Sequence, residues 1–129
     1  MSEQTIKVLI VDDHEVVLRS IQALVSREPD MEIVATAVSG HEAIELAQQQ
    51  SPDVIVMDVS MPILDGIRAA GEMKKRGVTS EIIMLSMHYS TALIQQARRN
   101  GASGYIVKQQ ANSQLIPAIR AAYEGNLSL

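Results

Sequence analysis

The sequence contains no cysteine, tryptophan or phenylalanine, and its aromatic residues are three tyrosines. Without cysteine the chain can form no disulfide, no thiolate zinc site and no cysteine nucleophile. Proteins that bind nucleic acid need a basic surface, and those that bind single strands usually add several aromatic rings on which bases stack. A net charge of −4 and so few aromatic rings indicate that this chain by itself binds DNA negligibly.

Long apolar runs are also missing. No stretch approaches the roughly 18 residues of a membrane-spanning helix, and the opening "MSEQTIK" lacks the features of a secretory signal peptide. We therefore expect a cytoplasmic protein. Apolar residues make up 47% of the sequence and charged residues 20%, a composition typical of a globular domain, and 129 residues are enough for one domain with its own core.

Strand-like and helix-like segments alternate along the chain. Apolar segments that are buried on both faces predict a parallel sheet covered by helices on both sides. The sequence therefore predicts an α/β fold with a doubly wound, five-stranded parallel sheet in the strand order 2-1-3-4-5. The predicted strands are residues 6–11, 32–38, 53–58, 81–86 and 104–108.

Two local signals concern the ends of helices. Ser39 followed by Glu42 is a capping box, which predicts that a helix begins there. Pro117 falls inside the last apolar helical pattern, at residues 113–124, and proline clashes with the carbonyl four residues earlier. We therefore expect this last helix to start late or irregularly, with Pro117 close to its first turn.

Polar side chains follow the carboxyl ends of four predicted strands. In doubly wound sheets, ligands bind beyond these ends, where the strand order switches direction. We therefore expect the polar side chains to converge on one crevice. They are Asp12 and Asp13 after the first strand, Asp58 at the end of the third, Ser86 at the end of the fourth and Lys108 at the end of the fifth.

Three carboxylates in one crevice need a cation. At a separation of 4 Å and an effective dielectric constant of ~20, each pair of them repels by about 4 kcal/mol. Crowded oxygen ligands suit a hard divalent ion, and Mg²⁺ is the expected one. Lys108 and Ser86 add the point charge and the hydrogen bond that a phosphoryl group needs. A carboxylate can carry such a group covalently, and Asp58, on the central strand, is the best placed.

Four segments, "VDDHE", "VMDVSMPILDG", "LSMH" and "GASGYIVK", follow one another in the order and spacing of a known family. The sequence resembles a response-regulator receiver domain of two-component signalling over essentially its whole length. The resemblance implies a flavodoxin-like receiver fold and phosphotransfer from a sensor histidine kinase to Asp58. It also implies that the protein is not an enzyme toward external substrates and catalyses only its own phosphorylation and dephosphorylation.

The resemblance also implies a role for each site residue. Mg²⁺ would be held by Asp13, Asp58 and the backbone carbonyl of Ser60, with Asp12 acting through water. No organic cofactor is implied. The turn after the phosphorylated aspartate would use Pro62 and Gly66.

Further implied roles concern the phosphoryl group and the response to it. Ser86 would bind the group and Lys108 would pair with it. Tyr105 matches the aromatic switch residue that turns inward when the hydroxyl residue moves toward the phosphate. Considered alone, this tyrosine is more often a packing residue of a strand. Ser60 and His88 match the positions that control how long the phosphoryl group survives.

The sequence departs from the family pattern after Lys108. Many receivers have a proline there, in a cis peptide, whereas this chain has Gln109. A cis bond before a residue other than proline costs roughly 2.5–4 kcal/mol, so we expect a trans bond.

The segments "DDH", "LSMH" and "AIRAAYEGN" more narrowly resemble the NarL/FixJ (LuxR-type) subfamily of transcription regulators. This implies a phosphorylation-dependent homodimer that reaches DNA only through an output domain absent from this chain. We expect residues 1–124 to be the receiver and residues 125–129 to begin the linker to that domain. The alternative is a stand-alone receiver that acts by docking on another protein.

Two other classes of function fit the sequence less well than a phosphorylated switch. A phosphohydrolase of the haloacid-dehalogenase type needs a second aspartate two residues after the nucleophile, where this chain has Ser60. A flavodoxin-like mononucleotide binder needs a loop rich in Ser, Thr or Gly after the first strand, where this chain has "DDHE". His14 and His88 lie near the crevice, where a metal role is the alternative, but their surroundings offer oxygens and no further imidazoles, so we interpret both as solvated loop side chains.

Overall fold

The computed structural model describes residues 4–125, in which five strands and five α-helices alternate. A short 3-10 turn at Lys108–Gln110 precedes the last helix. The elements are β1 (Ile6–Val11), α1 (Glu15–Ser26), β2 (Met31–Ala37), α2 (Gly40–Gln50), β3 (Val54–Asp58), α3 (Gly66–Lys75), β4 (Glu81–Ser86), α4 (Thr91–Arg99), β5 (Gly104–Val107) and α5 (Ala111–Tyr123).

The five strands form one parallel sheet in the order β2-β1-β3-β4-β5, which confirms the predicted topology. The register brings the polar strand ends together. Val11 pairs with Met57, so Asp12 follows at the level of Asp58. Ser86 pairs with Val107, so Lys108 comes one residue beyond this pair.

The sheet has an apolar core on each face, which explains why its strands are apolar throughout. Leu9, Ile55 and Met84 face the side covered by α2, α3 and α4. Val8, Val56 and Ile83 face the side covered by α1 and α5. The two cores hold the strand ends in fixed positions relative to one another.

The predicted capping box is present at the start of α2. The hydroxyl of Ser39 accepts a hydrogen bond from the backbone N–H of Glu42 (3.1 Å). In return, Oε1 of Glu42 accepts one from the N–H of Val38 (2.8 Å), one residue before the N-cap. The box therefore satisfies two backbone donors at the entry to the helix.

The expectation for Pro117 was wrong. Helix α5 begins at Ala111, so Pro117 lies inside it and not near its first turn. Proline removes the hydrogen bond to the carbonyl of Ser113. The buried side chains of Ala111 and Leu115 nevertheless hold the first turns of the helix against the sheet.

Two further expectations concern the segments that flank α5. No cis peptide bond occurs among residues 4–125, so the bond from Lys108 to Gln109 is trans, as expected. After α5, Gly125 has a φ of 88°, a left-handed conformation typical of a helix stop. The predicted linker begins at this glycine, and its residues 126–129 lie outside the described part of the chain.

Candidate functional site

Lys108 connects the two most deeply buried carboxylates of the crevice. Its Nζ lies 3.0 Å from Oδ2 of Asp12 and 3.1 Å from Oδ1 of Asp58. Asp12 is 1% exposed and Asp58 is 2% exposed, so solvent screens neither ion pair well. One ammonium group thus neutralises part of the charge of two carboxylates.

The pKa values of Asp58 and Lys108 reflect this crowding. Burial, and then the negative charge of Asp12, raise the pKa of Asp58 to about 6, although the hydrogen bond from Lys108 opposes the shift. Burial lowers the pKa of Lys108, but its hydrogen bonds to Asp12 and Asp58 outweigh burial, and the net shift is upward. At neutral pH the lysine is charged and Asp58 is mostly ionised.

Two carboxylate oxygens of this site are buried without a hydrogen-bond partner in the part of the chain that the structure describes. They are Oδ1 of Asp13 and Oδ2 of Asp58. The other oxygen of Asp58 accepts one hydrogen bond from the N–H of Ser60 (3.2 Å), besides its ion pair with Lys108. Buried polar atoms normally find a partner, and orphaned carboxylate oxygens suit a hard divalent cation. The acidic cluster of Asp12, Asp13 and Asp58 therefore fits a metal ion.

His14 also belongs to this cluster, although its sequence context favours a solvated loop side chain over a metal role. One potential ligand atom from each of Asp12, Asp13, His14 and Asp58 lies within 4.8 Å of the others. The side chain of His14 is 65% exposed, so it is solvated as predicted, but its Nδ1 turns inward to 3.2 Å from Oδ1 of Asp13. Its position directly after the aspartate pair was the available signal.

The backbone of His88 connects two further predicted site residues. The buried hydroxyl of Ser86 accepts a hydrogen bond from the N–H of His88 (3.2 Å). The hydroxyl of Tyr105 donates one to the carbonyl of the same residue (2.8 Å). Tyr105 is half-buried and the side chain of His88 is exposed. Any movement of this residue therefore affects both hydroxyl groups.

The segment after β3 packs tightly against the site. The N–H of Gly66 donates to the carbonyl of Val59 (2.9 Å). A Cβ at Gly66 would lie 2.0 Å from the carbonyl oxygen of Asp58, far inside van der Waals contact. Glycine is thus required where α3 begins, because any side chain there would displace the backbone of Asp58. The side chain of Ser60, which lies between Asp58 and Gly66 in the sequence, is exposed.

The chain is similar to known proteins in sequence and in fold. Residues 8–120 match the family model of the response regulator receiver domain. The chain belongs to this family. The receiver is 38% identical to the response regulator protein VraR of Staphylococcus epidermidis, over 93% of this chain and 57% of VraR. It is 31% identical to the transcriptional regulatory protein DegU of Brevibacillus brevis, over 97% of this chain and 53% of DegU.

Solved structures agree with this assignment. A two-component response regulator of the LuxR family from Aurantimonas superposes with a TM-score of 0.93 at 32% identity, over 98% of the receiver and 90% of that chain. The resemblance to the NarL/FixJ (LuxR-type) subfamily is thereby confirmed. The receiver spans about half the length of the curated relatives it matches, such as VraR (57%) and DegU (53%). Within residues 4–125, none of the helices has the length and apolar character needed to cross a bilayer.

Proposed function

We propose that this receiver accepts a phosphoryl group on Asp58 from a sensor histidine kinase. Receiver domains of response regulators pair with such kinases. The observation that carries the proposal is the state of Asp58: it is buried at the end of β3, one of its oxygens has no partner among residues 4–125, and Lys108 lies 3.1 Å from the other. This arrangement leaves a carboxylate free to react beside a fixed positive charge.

The acidic cluster would hold Mg²⁺ through Asp12, Asp13, Asp58 and the backbone carbonyl of Ser60. When bound, the ion supplies positive charge that offsets the crowded carboxylates and the phosphoryl oxygens. No organic cofactor is needed.

The chain's own residues perform the transfer. A carboxylate oxygen of Asp58 forms a bond to phosphorus as the bond from phosphorus to the kinase histidine breaks, and the histidine ring, protonated on its other nitrogen, leaves as neutral imidazole. Lys108 stabilises the charge on the phosphoryl oxygens, and the Ser86 hydroxyl donates a hydrogen bond to one of them. Water later cleaves the acyl phosphate, so the receiver catalyses only its own phosphorylation and dephosphorylation.

Phosphorylation would switch the conformation through His88. When the Ser86 hydroxyl turns to the phosphoryl group, it ceases to accept from the N–H of His88, and the loop that also accepts from Tyr105 is released. The new contact exists only in the phosphorylated state, which is what a ligand-driven shift requires. Tyr105 would then turn inward and alter the surface of β5 and α4.

The residues that flank the site would set the lifetime of the phosphoryl group. The side chains of Ser60 and His88 are both exposed, and the two residues follow Asp58 and Ser86, respectively, by two positions. We propose that they control the access of the hydrolytic water. Dephosphorylation rates of variants at the two positions test this proposal, and unchanged rates in both variants would contradict it.

The output would be transcription. DegU is named as a transcriptional regulatory protein, and the receiver spans about half (53%) of its length. We propose that residues 1–124 are the receiver of a longer cytoplasmic regulator, that residue 125 begins the linker, and that phosphorylation promotes a homodimer which reaches DNA through the output domain. A stand-alone receiver that docks on another protein is the alternative. The length of the natural gene product distinguishes the two.

The proposed phosphorylation has a direct test. Acetyl phosphate with Mg²⁺ should add one phosphoryl group to the wild type, seen as one mass increment, and labelling should fall at least about 100-fold in Asp58→Asn because the amide is not a nucleophile. Asp30→Asn, which changes a carboxylate away from the crevice, should leave labelling unchanged. Equal labelling of Asp58→Asn and the wild type would refute the assignment.

A further inference from the structure

His14 occupies the N-cap of α1 but does not cap it. Side chains of Ser, Thr, Asp and Asn normally accept a hydrogen bond from the first turn at this position. His14 makes no such hydrogen bond. Its imidazole turns instead toward the acidic cluster, so the direction of this side chain needs another explanation.

The distances from Nδ1 of His14 match those between ligands of one metal ion. Nδ1 lies 3.3 Å from Oδ1 of Asp12 and 3.2 Å from Oδ1 of Asp13. It lies 4.0 Å from Oδ2 of Asp58. For an octahedral ion with bonds of about 2.1 Å, adjacent ligands are about 3.0 Å apart and opposite ligands about 4.2 Å apart. The first two distances correspond to neighbouring ligands and the third to one nearly opposite.

In the described part of the chain, two of the three oxygens that face His14 have no hydrogen bond, whereas Oδ1 of Asp12 accepts one from the backbone N–H of His14 (2.8 Å). Oδ1 of Asp13 and Oδ2 of Asp58 are both buried and unpartnered among residues 4–125. Nδ1 of His14 approaches both without forming a hydrogen bond to either. A shared ion would satisfy the two oxygens and the ring nitrogen together.

We propose that Nδ1 of His14 is a further metal ligand of this site, which strengthens the binding of divalent transition-metal ions such as Mn²⁺ relative to Mg²⁺. The inference rests on the proposed function, in that it needs the acidic cluster to hold a metal ion. Imidazole nitrogen favours transition-metal ions over Mg²⁺, which prefers oxygen ligands. His14 would therefore shift the preference of a cluster otherwise made of oxygen atoms toward transition-metal ions.

Mn²⁺ is a suitable probe because pulsed electron paramagnetic resonance detects nitrogen bonded to it. With Mn²⁺ and the wild-type receiver at pH 8, electron spin-echo modulation should show one coordinated nitrogen, and His14→Gln should abolish that signal. The substitution should weaken Mn²⁺ binding about tenfold, the scale of change for ligand-sphere variants, and Mg²⁺ binding much less. Circular dichroism verifies that the variant is folded, as expected for an exposed residue that makes no cap.

The other two histidines provide matched controls. His41→Gln alters an exposed histidine on α2, and His88→Gln alters the other histidine near the crevice. Both variants should keep the nitrogen signal and the Mn²⁺ affinity.

Each contrary result has a separate meaning. Mn²⁺ bound without a nitrogen signal, or a signal that persists in His14→Gln, overturns the role of His14 and leaves the oxygen-bound metal of the proposed function intact. A wild type that binds neither Mn²⁺ nor Mg²⁺ overturns both. A nitrogen signal in a receiver that acetyl phosphate does not label supports the role of His14 and contradicts the proposed function alone.

Discussion

The two ends of the parallel sheet differ in whether their polar groups have hydrogen-bond partners. At the amino ends of the strands, buried and half-buried polar side chains have partners. Oδ2 of Asp53 accepts from the N–H of Lys7 (2.8 Å), and the buried hydroxyl of Ser80 donates to the carbonyl of Pro52 (2.6 Å). Arg120 on α5 donates to both oxygens of Asp30, each at 2.9 Å. These contacts tie loops and helices to the sheet.

At the carboxyl ends, the same fold leaves polar groups unsatisfied. Oδ1 of Asp13 and Oδ2 of Asp58 are buried without hydrogen bonds in the described part of the chain. Nearby, Ile63 is 88% exposed and adopts a φ of 71°, a left-handed conformation that is costly for a β-branched residue. An unsatisfied buried group costs about 1–3 kcal/mol. The carboxyl ends therefore carry a stability cost that a binding site explains and a purely structural role does not.

Two glycines test this contrast, and they should give the largest effect on stability. In Gly66→Ala the new Cβ would lie 2.0 Å from the carbonyl of Asp58, so we expect a loss of about 3 kcal/mol and a disturbed site. Gly77, which precedes β4, has a φ of 83° but no atom within 4 Å of the corresponding Cβ. Gly77→Ala should therefore cost only about 1 kcal/mol of conformational strain. Urea unfolding measures both, and equal losses would contradict the packing argument.

Substitution of two aspartates should change stability in opposite directions. The pKa of Asp58 is raised to about 6, mainly by burial, so its ionised form destabilises the fold above that pH. With divalent ions chelated at pH 7.5, Asp58→Asn should raise the free energy of unfolding by on the order of 2 kcal/mol. The gain should shrink as pH falls from 6 toward 4, because the wild-type carboxyl then becomes protonated in the folded state.

Substitution of Asp30 should have the opposite effect on stability. The hydrogen bond from Arg120 lowers the pKa of Asp30, so its ionised form stabilises the fold above its unfolded-state pKa of about 4, and this stabilisation is lost as pH falls through the lower folded-state value. Asp30→Asn should therefore slightly destabilise the receiver at pH 7.5. Urea titrations at several pH values compare the two variants. A destabilised Asp58→Asn would contradict the account of the carboxyl ends.

Substitution of two buried serines should give the smallest effects on stability, and it distinguishes a structural role from a role in the switch. Ser80→Ala removes the hydroxyl that satisfies the Pro52 carbonyl and should cost about 1 kcal/mol. Ser86→Ala should cost less than about 0.5 kcal/mol, because the exposed His88 allows water to reach the freed N–H. In amide spectra, beryllofluoride with Mg²⁺ should shift residues 86–105 of the wild type and of Ser80→Ala. The shift at Tyr105 should be much reduced in Ser86→Ala, and an unchanged shift there would contradict the proposed switch.

The sequence by itself determined the sheet and most of the site. Apolar runs set the strands, and the rule that ligands bind at the switch in strand order placed Asp12, Asp58 and Lys108 together before any contact was known. These inferences succeed because burial on both faces leaves a strong local pattern, and because parallel strands end on the same side. The capping box was predicted for the same reason, because Ser39 and Glu42 are three residues apart and form a local pattern.

Only the tertiary structure decided the features that depend on the direction of side chains and on distant packing. The direction of the His14 side chain toward the carboxylates follows from the position of α1 over the sheet, which no local sequence pattern predicts. The hydrogen bond from the Tyr105 hydroxyl to the carbonyl of His88 joins residues 17 positions apart, and the N–H of His88 donates to the Ser86 hydroxyl in the same loop. The start of α5 at Ala111 depended on burial of Leu115, which outweighed the local penalty of Pro117. Local patterns specify elements, whereas the contacts between them exist only once the two cores have packed.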